Sequence, residues 1–413
     1  MLARKLAQTR MRGAASSLRA MTTYSQQGGL PALPLGKLDE TLDKFMATAE
    51  PFLQTKKERE EVQALVDAAK SDESMLAAQR KLEDIAEQDR NWLDRFWTSN
   101  AYMKWDVALP INSNVTGYLF GDARKQWDQA FSAAAITRGA LLNHVALLEG
   151  SYPAKTARGD KVQCMDQYTR MFSLTRIPGI EEDHQVKYSE EESQHVVVIA
   201  GRRLYTVPVL QGREVVALDD LCATFATIKA DATSRGPDPQ PVSVLTALPR
   251  KDWARVRNRM TSDEVNASAL HVVESAVFAI SLEDGIDETD SDCAKTTFVG
   301  DGRTTWFDKS FQLKVKEDGN PSINVEHSWA DAPVPLGMFF NDALPYAEAE
   351  AESGVDHSQG NALSFNHVEF HVDDALAADI CKAERLVDIA IADSDVHVYQ
   401  CRGLGRGRFP GSL

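Results

Sequence analysis

Two pairs of short apolar runs constrain the fold most. His195–Ala200 and Leu204–Leu210 flank Gly201-Arg202-Arg203, and Phe311–Val315 and Ile323–Val325 flank Glu317-Asp318-Gly319-Asn320. Short runs rich in β-branched and aromatic residues between turn formers read as strands, and Asp-Gly is a strong hairpin turn. The pattern therefore predicts two hairpins. Val272–Leu282 fits a helix or a strand, and its periodicity does not separate the two. Val396–Cys401 reads as a last strand. Helical spacing surrounds these runs. Leu42, Phe45, Met46 and Ala49 share a face before Pro51, and a second helix is expected at about 55–70. Leu76, Leu82, Ile85, Trp92 and Phe96 predict a third over about 74–97. Trp127, Phe131, Ala135, Leu141, Val145 and Leu148 predict another over 124–149, and a further one follows at 373–391. Ala347–Ser358, small and acidic, reads as a solvated loop. Loose alternation of helices and strands argues a mixed α/β protein.

The length, 413 residues, leaves room for two or three domains with a large core. The net charge of −16 makes the chain a poor coat for nucleic acid or an anionic membrane. That charge is unevenly placed. No acidic residue precedes Asp39, while Arg4, Lys5, Arg10, Arg12, Arg19 and Lys37 are basic. Such a start, Arg-rich and without an apolar block, matches a mitochondrial transit peptide over 1–28, cleaved near 18–28. The expected location is the matrix or the inner membrane, by peripheral association. No run approaches the roughly 18 apolar residues of a membrane span. Cys164, Cys222, Cys293, Cys381 and Cys401 are scattered and form no CxxC pair, so neither a disulfide framework nor a zinc site is expected.

Three groups of histidines stand out. His144, on a helix, is expected at the surface or its boundary. His367, Glu369 and His371 alternate, so they could ligate a metal from one strand face or simply form its polar outer side. With no nearby fourth group the second reading is preferred, and no metal is expected. His327 directly follows a strand and precedes Asp331 by four residues. A carboxylate on one ring nitrogen would fix the tautomer and leave the other nitrogen as a base, although a structural His–Asp pair has the same spacing.

Several ordered blocks resemble the choline/carnitine acyltransferases, most closely the carnitine palmitoyltransferases. They are Leu30-Pro31-Ala32-Leu33-Pro34 with Leu38-Asp39-Glu40-Thr41-Leu42; Asn91-Trp92-Leu93, Phe96-Trp97 and Ala101-Tyr102; Leu109-Pro110-Ile111-Asn112-Ser113-Asn114; Cys164 to Phe172 with Thr175-Arg176-Ile177-Pro178-Gly179; Leu245-Thr246-Ala247; Trp253-Ala254-Arg255; Trp306-Phe307-Asp308-Lys309-Ser310; and Glu326-His327-Ser328-Trp329-Ala330-Asp331-Ala332-Pro333. The resemblance runs from residue 30 to about 409.

The resemblance implies an α/β, chloramphenicol acetyltransferase-like fold for CoA-dependent acyl transfer. A catalytic half would occupy 29–365 and the start of a second half 366–413. It implies His327 as general base, Asp331 as its positioning carboxylate, Trp97 and Tyr102 in a carnitine pocket, and Arg406 on the phosphates of CoA. Carnitine and acyl-CoA are the implied substrates, with CoA as co-substrate and no resident cofactor. An aromatic face suits a trimethylammonium cation. The block around Trp329 favours long-chain acyl groups. Thr305 stands where the family carries Arg, and Arg303 lies two positions away. The family's second half, with the Ser-Thr-Ser motif that stabilises the oxyanion, is not matched, so C-terminal truncation is expected. Two functions follow: a carnitine acyltransferase of fatty acid import and oxidation, or a catalytically incomplete member kept as a binding or regulatory chain.

Overall fold

The computed structural model describes residues 22–157 and 161–399. Arg406, most of the proposed leader and the last two positions of the predicted strand Val396–Cys401 lie outside them. The chain divides into two units, Gly28–Ala101 and the remainder.

The smaller unit is helical: α1 (Leu38–Ala49), α2 (Lys56–Ser71) and α3 (Glu73–Gln88). Thr55 caps α2 with a capping box: its hydroxyl accepts from the Glu58 N–H at 3.2 Å, and the Glu58 carboxylate accepts from the Thr55 N–H at 3.0 Å. The helix expected over 74–97 stops early. The Asp89 carboxylate accepts the Asn91 N–H at 2.9 Å and turns the chain, as short polar side chains do when they compete with the helix backbone. Helix resumes only over Asp94–Thr98.

The larger unit is built on a mixed seven-stranded sheet. Its strands are β1 (Val115–Tyr118), β2 (His195–Ala200), β3 (Arg203–Pro208), β4 (Ala279–Leu282), β5 (Phe311–Val315), β6 (Pro321–Val325) and β7 (Asn366–Val368). Their order is β1-β6-β5-β4-β2-β3-β7. Only β4 pairs in parallel, with β5 and β2; every other pair is antiparallel. Both expected hairpins form, β2–β3 with Ala200 opposite Arg203 and β5–β6 with Val315 opposite Pro321. The strand Val396–Cys401 is not seen: Val396–Tyr399, its described part, carries no strand. Val272–Leu282 holds both candidate structures, the end of helix α7 (Glu264–Ser275) and then β4.

The central strands are buried on both faces, so side-chain alternation divides the interior in two. Val196, Val198 and Ala200 pack with helices α4 (Gln129–Leu148) and α5 (Leu218–Arg235). Val197 and Ile199 pack with α6 (Arg250–Met260), α7 and α10 (Asp374–Ala392). α4 is long and apolar enough to cross a membrane, but it is mostly buried within the protein, as a core helix is. Its burial extends around the helix and takes in His144, against the surface position expected; the imidazole centroid lies 4.8 Å from that of Phe172. The expected loop at Ala347–Ser358 begins as helix α9 (Leu344–Glu352), because alternating Ala and Glu are strong helix formers.

Candidate active site

β6 leads into the site. Both of its faces are buried, and the two residues after it are Glu326 and His327. Glu326 is fully buried and its carboxylate is saturated. It accepts from Arg176 Nη1 at 2.8 Å, from the Ser328 N–H at 3.2 Å and from Ser328 Oγ at 2.5 Å. Trp329, also buried, donates from Nε1 to the Ser310 carbonyl at 2.8 Å. His327 is thus gripped on both sides in sequence, while its own side chain stays 25% exposed.

The ring has distinct surroundings at its two nitrogens. Nδ1 lies 3.1 Å from the Ser113 carbonyl oxygen. A carbonyl can only accept, so Nδ1 carries the proton and neutral His327 presents a lone pair at Nε2. Asp331 Oδ1 lies 3.7 Å from Nε2, beyond hydrogen-bond length, and its side chain is 71% exposed. The carboxylate therefore stands beside the basic nitrogen instead of behind the ring. The Tyr102 ring meets His327 edge-on at 5.3 Å.

Behind His327 runs a buried chain of charges. Arg176 joins Glu326 to Asp183, donating from Nε at 2.7 Å, and reaches the Tyr102 carbonyl from Nη2 at 2.8 Å. Asp183 also accepts from Arg250 Nε at 2.6 Å. Arg250 passes on to Asp308 at 2.6 Å, where Trp253 Nε1 donates at 2.6 Å. Burial pushes the Asp308 carboxyl up to about 6, against the pull of Arg250 and Trp253. Beside it, burial drives Lys309 well below the ordinary lysine range; its Nζ donates to Thr175 Oγ1 at 3.0 Å and the Glu274 carbonyl at 2.6 Å. This chain fixes the backbone under Tyr102 and under His327 together.

Trp97 belongs to the smaller unit, and more than half of it is exposed. The other sequence candidates in the larger unit have partners of their own. His367 and His371 have different carboxylate neighbours, Asp231 at 3.5 Å and Asp263 at 2.9 Å. Among the described residues no three His, Cys, Asp or Glu side chains gather as a metal site. Arg303 is spent elsewhere, binding Glu384 at 2.8 Å and Asp388 at 3.0 Å on α10. Thr305 instead accepts from Lys314 Nζ at 3.2 Å. Sequence reading passed over the roles of Ser113, Arg176 and Glu326, although all three lie in the quoted blocks. Arg176 and Glu326 are 150 positions apart, and no local spacing links them.

A family profile described as Choline/Carnitine o-acyltransferase matches residues 33–410. Choline O-acetyltransferase of Drosophila melanogaster is 29% identical, over 95% of this chain and 59% of its own length. Carnitine O-acetyltransferase of Columba livia is 24% identical, over 92% and 62% respectively. The muscle isoform of carnitine O-palmitoyltransferase 1 from Rattus norvegicus is 28% identical, over 77% and 42%. The chain thus spans 42% to 62% of the length of these relatives.

Proposed function

The chain belongs to the choline/carnitine O-acyltransferase family, and from that premise we propose that it transfers an acyl group between CoA and carnitine, with His327 as general base. One observation carries the reading: Nδ1 is committed to the Ser113 carbonyl, which leaves Nε2 of a partly exposed ring as the basic nitrogen. Nε2 takes the proton of the carnitine hydroxyl as its oxygen attacks the thioester carbonyl. The tetrahedral intermediate then collapses, the C–S bond breaks, and the imidazolium returns the proton to the CoA sulfur. No covalent acyl-enzyme is needed, so catalysis rests on positioning and on the base. Asp331, beside Nε2, stabilises the transient imidazolium. Tyr102 and Trp97 would line the carnitine pocket, and Arg406 would meet a phosphate of CoA. The mixed seven-stranded sheet supports a chloramphenicol acetyltransferase-like fold. The proposed acyl group is long-chain, as the Trp329 block suggests, and the proposed location is mitochondrial, as the basic start suggests.

Two other readings stand beside this one. Choline O-acetyltransferase is as similar as the carnitine enzymes, which favours choline as acceptor. The other is a chain that binds CoA without turnover. One assay separates all three. The purified chain is given acetyl-CoA or palmitoyl-CoA with carnitine or choline, and released thiol is measured. Carnitine-dependent release, cut about 100-fold or more by His327→Ala, is the expected result. Equal rates in the two proteins overturn the base assignment. Choline-dependent release reassigns the acceptor. CoA binding without release leaves the non-catalytic reading.

A further inference from the structure

Ser113 and His327 sit opposite each other for a reason visible in the sheet register. β1 and β6 pair antiparallel with Val115 opposite Val325. Continued by two residues, that register sets Ser113 opposite His327. The backbone ladder does not continue there. In its place the imidazole Nδ1 takes the Ser113 carbonyl.

The turn that ends the ladder is an unusual one. Pro110 is extended, at φ −58° and ψ 141°, and Ile111 follows at φ 70° and ψ −40°. Positive φ is strongly disfavoured for a branched side chain, so surrounding bonds must hold it. They do. The N–H groups of Ser113 and Asn114 both reach the Leu109 carbonyl, at 3.0 and 3.1 Å, and Leu109 is wholly buried. Asn114, also buried, donates from Nδ2 to the Phe307 carbonyl at 3.1 Å and to Asn324 Oδ1 at 2.9 Å. Asn324, on β6 and three residues before His327, donates in turn to the carbonyls of Thr297 and Phe298 at 3.1 Å each.

We propose that this Leu109–Asn114 turn, kinked at Ile111 and clamped by Asn114, is the device that sets the tautomer of His327, in place of the Asp331 carboxylate. Asp331 is on the wrong side for that task, next to the nitrogen that must stay unprotonated. Asn114 is a positioning residue: it touches neither substrate nor reacting atom. The proposal rests on His327 being the general base.

The test is nitrogen NMR of the full chain with labelled histidine, His327 being assigned by its loss in His327→Gln. In its neutral form the wild-type ring should show protonated Nδ1 and unprotonated Nε2. Asn114→Ala should shift the ring toward the Nε2–H form and lower kcat about 10-fold or more with KM little changed. Ile111→Pro, which cannot adopt the positive φ of the kink and stands at an exposed position, repeats the test should Asn114→Ala not fold. Asp331→Asn should leave the tautomer as it is. The proposal is overturned by an Nε2–H ring in the wild type, by an unchanged ring in the turn variants, or by a tautomer change in Asp331→Asn. If the tautomers behave as stated while His327→Ala retains full transfer, the base assignment fails and the turn's control of the ring stands.

Discussion

A histidine's role here follows from what surrounds each nitrogen and how much water reaches it. His327 keeps a quarter of its side chain in solvent, whereas His144 is 4% exposed. Burial, with Lys187 and Arg213 adding to it, lowers the His144 pKa from 6.5 to about 3. The native state then binds no proton there across an interval in which the unfolded chain does. Stability is therefore intact above about pH 6.5 and is lost as pH falls toward 3. His144→Leu should lose less stability than the wild type between pH 7 and pH 4, by on the order of 2–3 kcal/mol at pH 4. Urea midpoints at the two pH values measure this, and equal declines would refute it. The sequence placed His144 on a helix but not inside the protein. α4 is apolar around its circumference, so its periodicity could not say where solvent lies. His327 was legible because it ends a strand before a carboxylate. Its true Nδ1 partner was not, because a backbone carbonyl leaves no mark on residue identity.

At the scale of elements, the two hairpins were read more securely than the helix ends. The Asp318-Gly319 turn was visible as a dipeptide, and its glycine is demanded twice over. Gly319 adopts φ +77°, and a Cβ there would lie 2.3 Å from the Trp127 carbonyl oxygen. Gly212 has a similar φ of +60° with nothing near it. The pair separates backbone preference from collision. Gly212→Ala should cost about 1 kcal/mol and Gly319→Ala about 3 kcal/mol or more, by denaturant unfolding. Equal costs would show that the entry to α4 gives way freely beside the hairpin. The helix that stopped at Gln88 and the loop that became α9 show the converse weakness. Polar side chains that bond locally, and good helix formers in an acidic run, decide boundaries that hydrophobic spacing does not register. The buried chain from Asp308 to Glu326 was least legible, since its members come from separate segments and meet only once the sheet is assembled.

Across the whole molecule, the opening charge asymmetry acquires a physical boundary. Thr23 is 1% exposed; its N–H reaches the Gly150 carbonyl at 3.0 Å and its hydroxyl the Tyr152 carbonyl at 2.6 Å. A leader that is removed without harm must therefore be cut before Thr23, in the earlier part of the 18–28 window. Residues 1–22 contain Arg4, Lys5, Arg10, Arg12 and Arg19 and no carboxylate. Fused ahead of a fluorescent protein, this segment should carry it into mitochondria, and changing the four arginines to glutamine should leave the fusion in the cytosol. A wild-type fusion that stays cytosolic would defeat the targeting proposal. Truncation supplies the matching stability measurement. Removing residues 1–24 should lower stability by about 1–3 kcal/mol beyond what removing 1–21 does, because the Gly150 and Tyr152 carbonyls then lose their Thr23 donors. If the two truncations behave alike, the Thr23 contacts with Gly150 and Tyr152 contribute no stability.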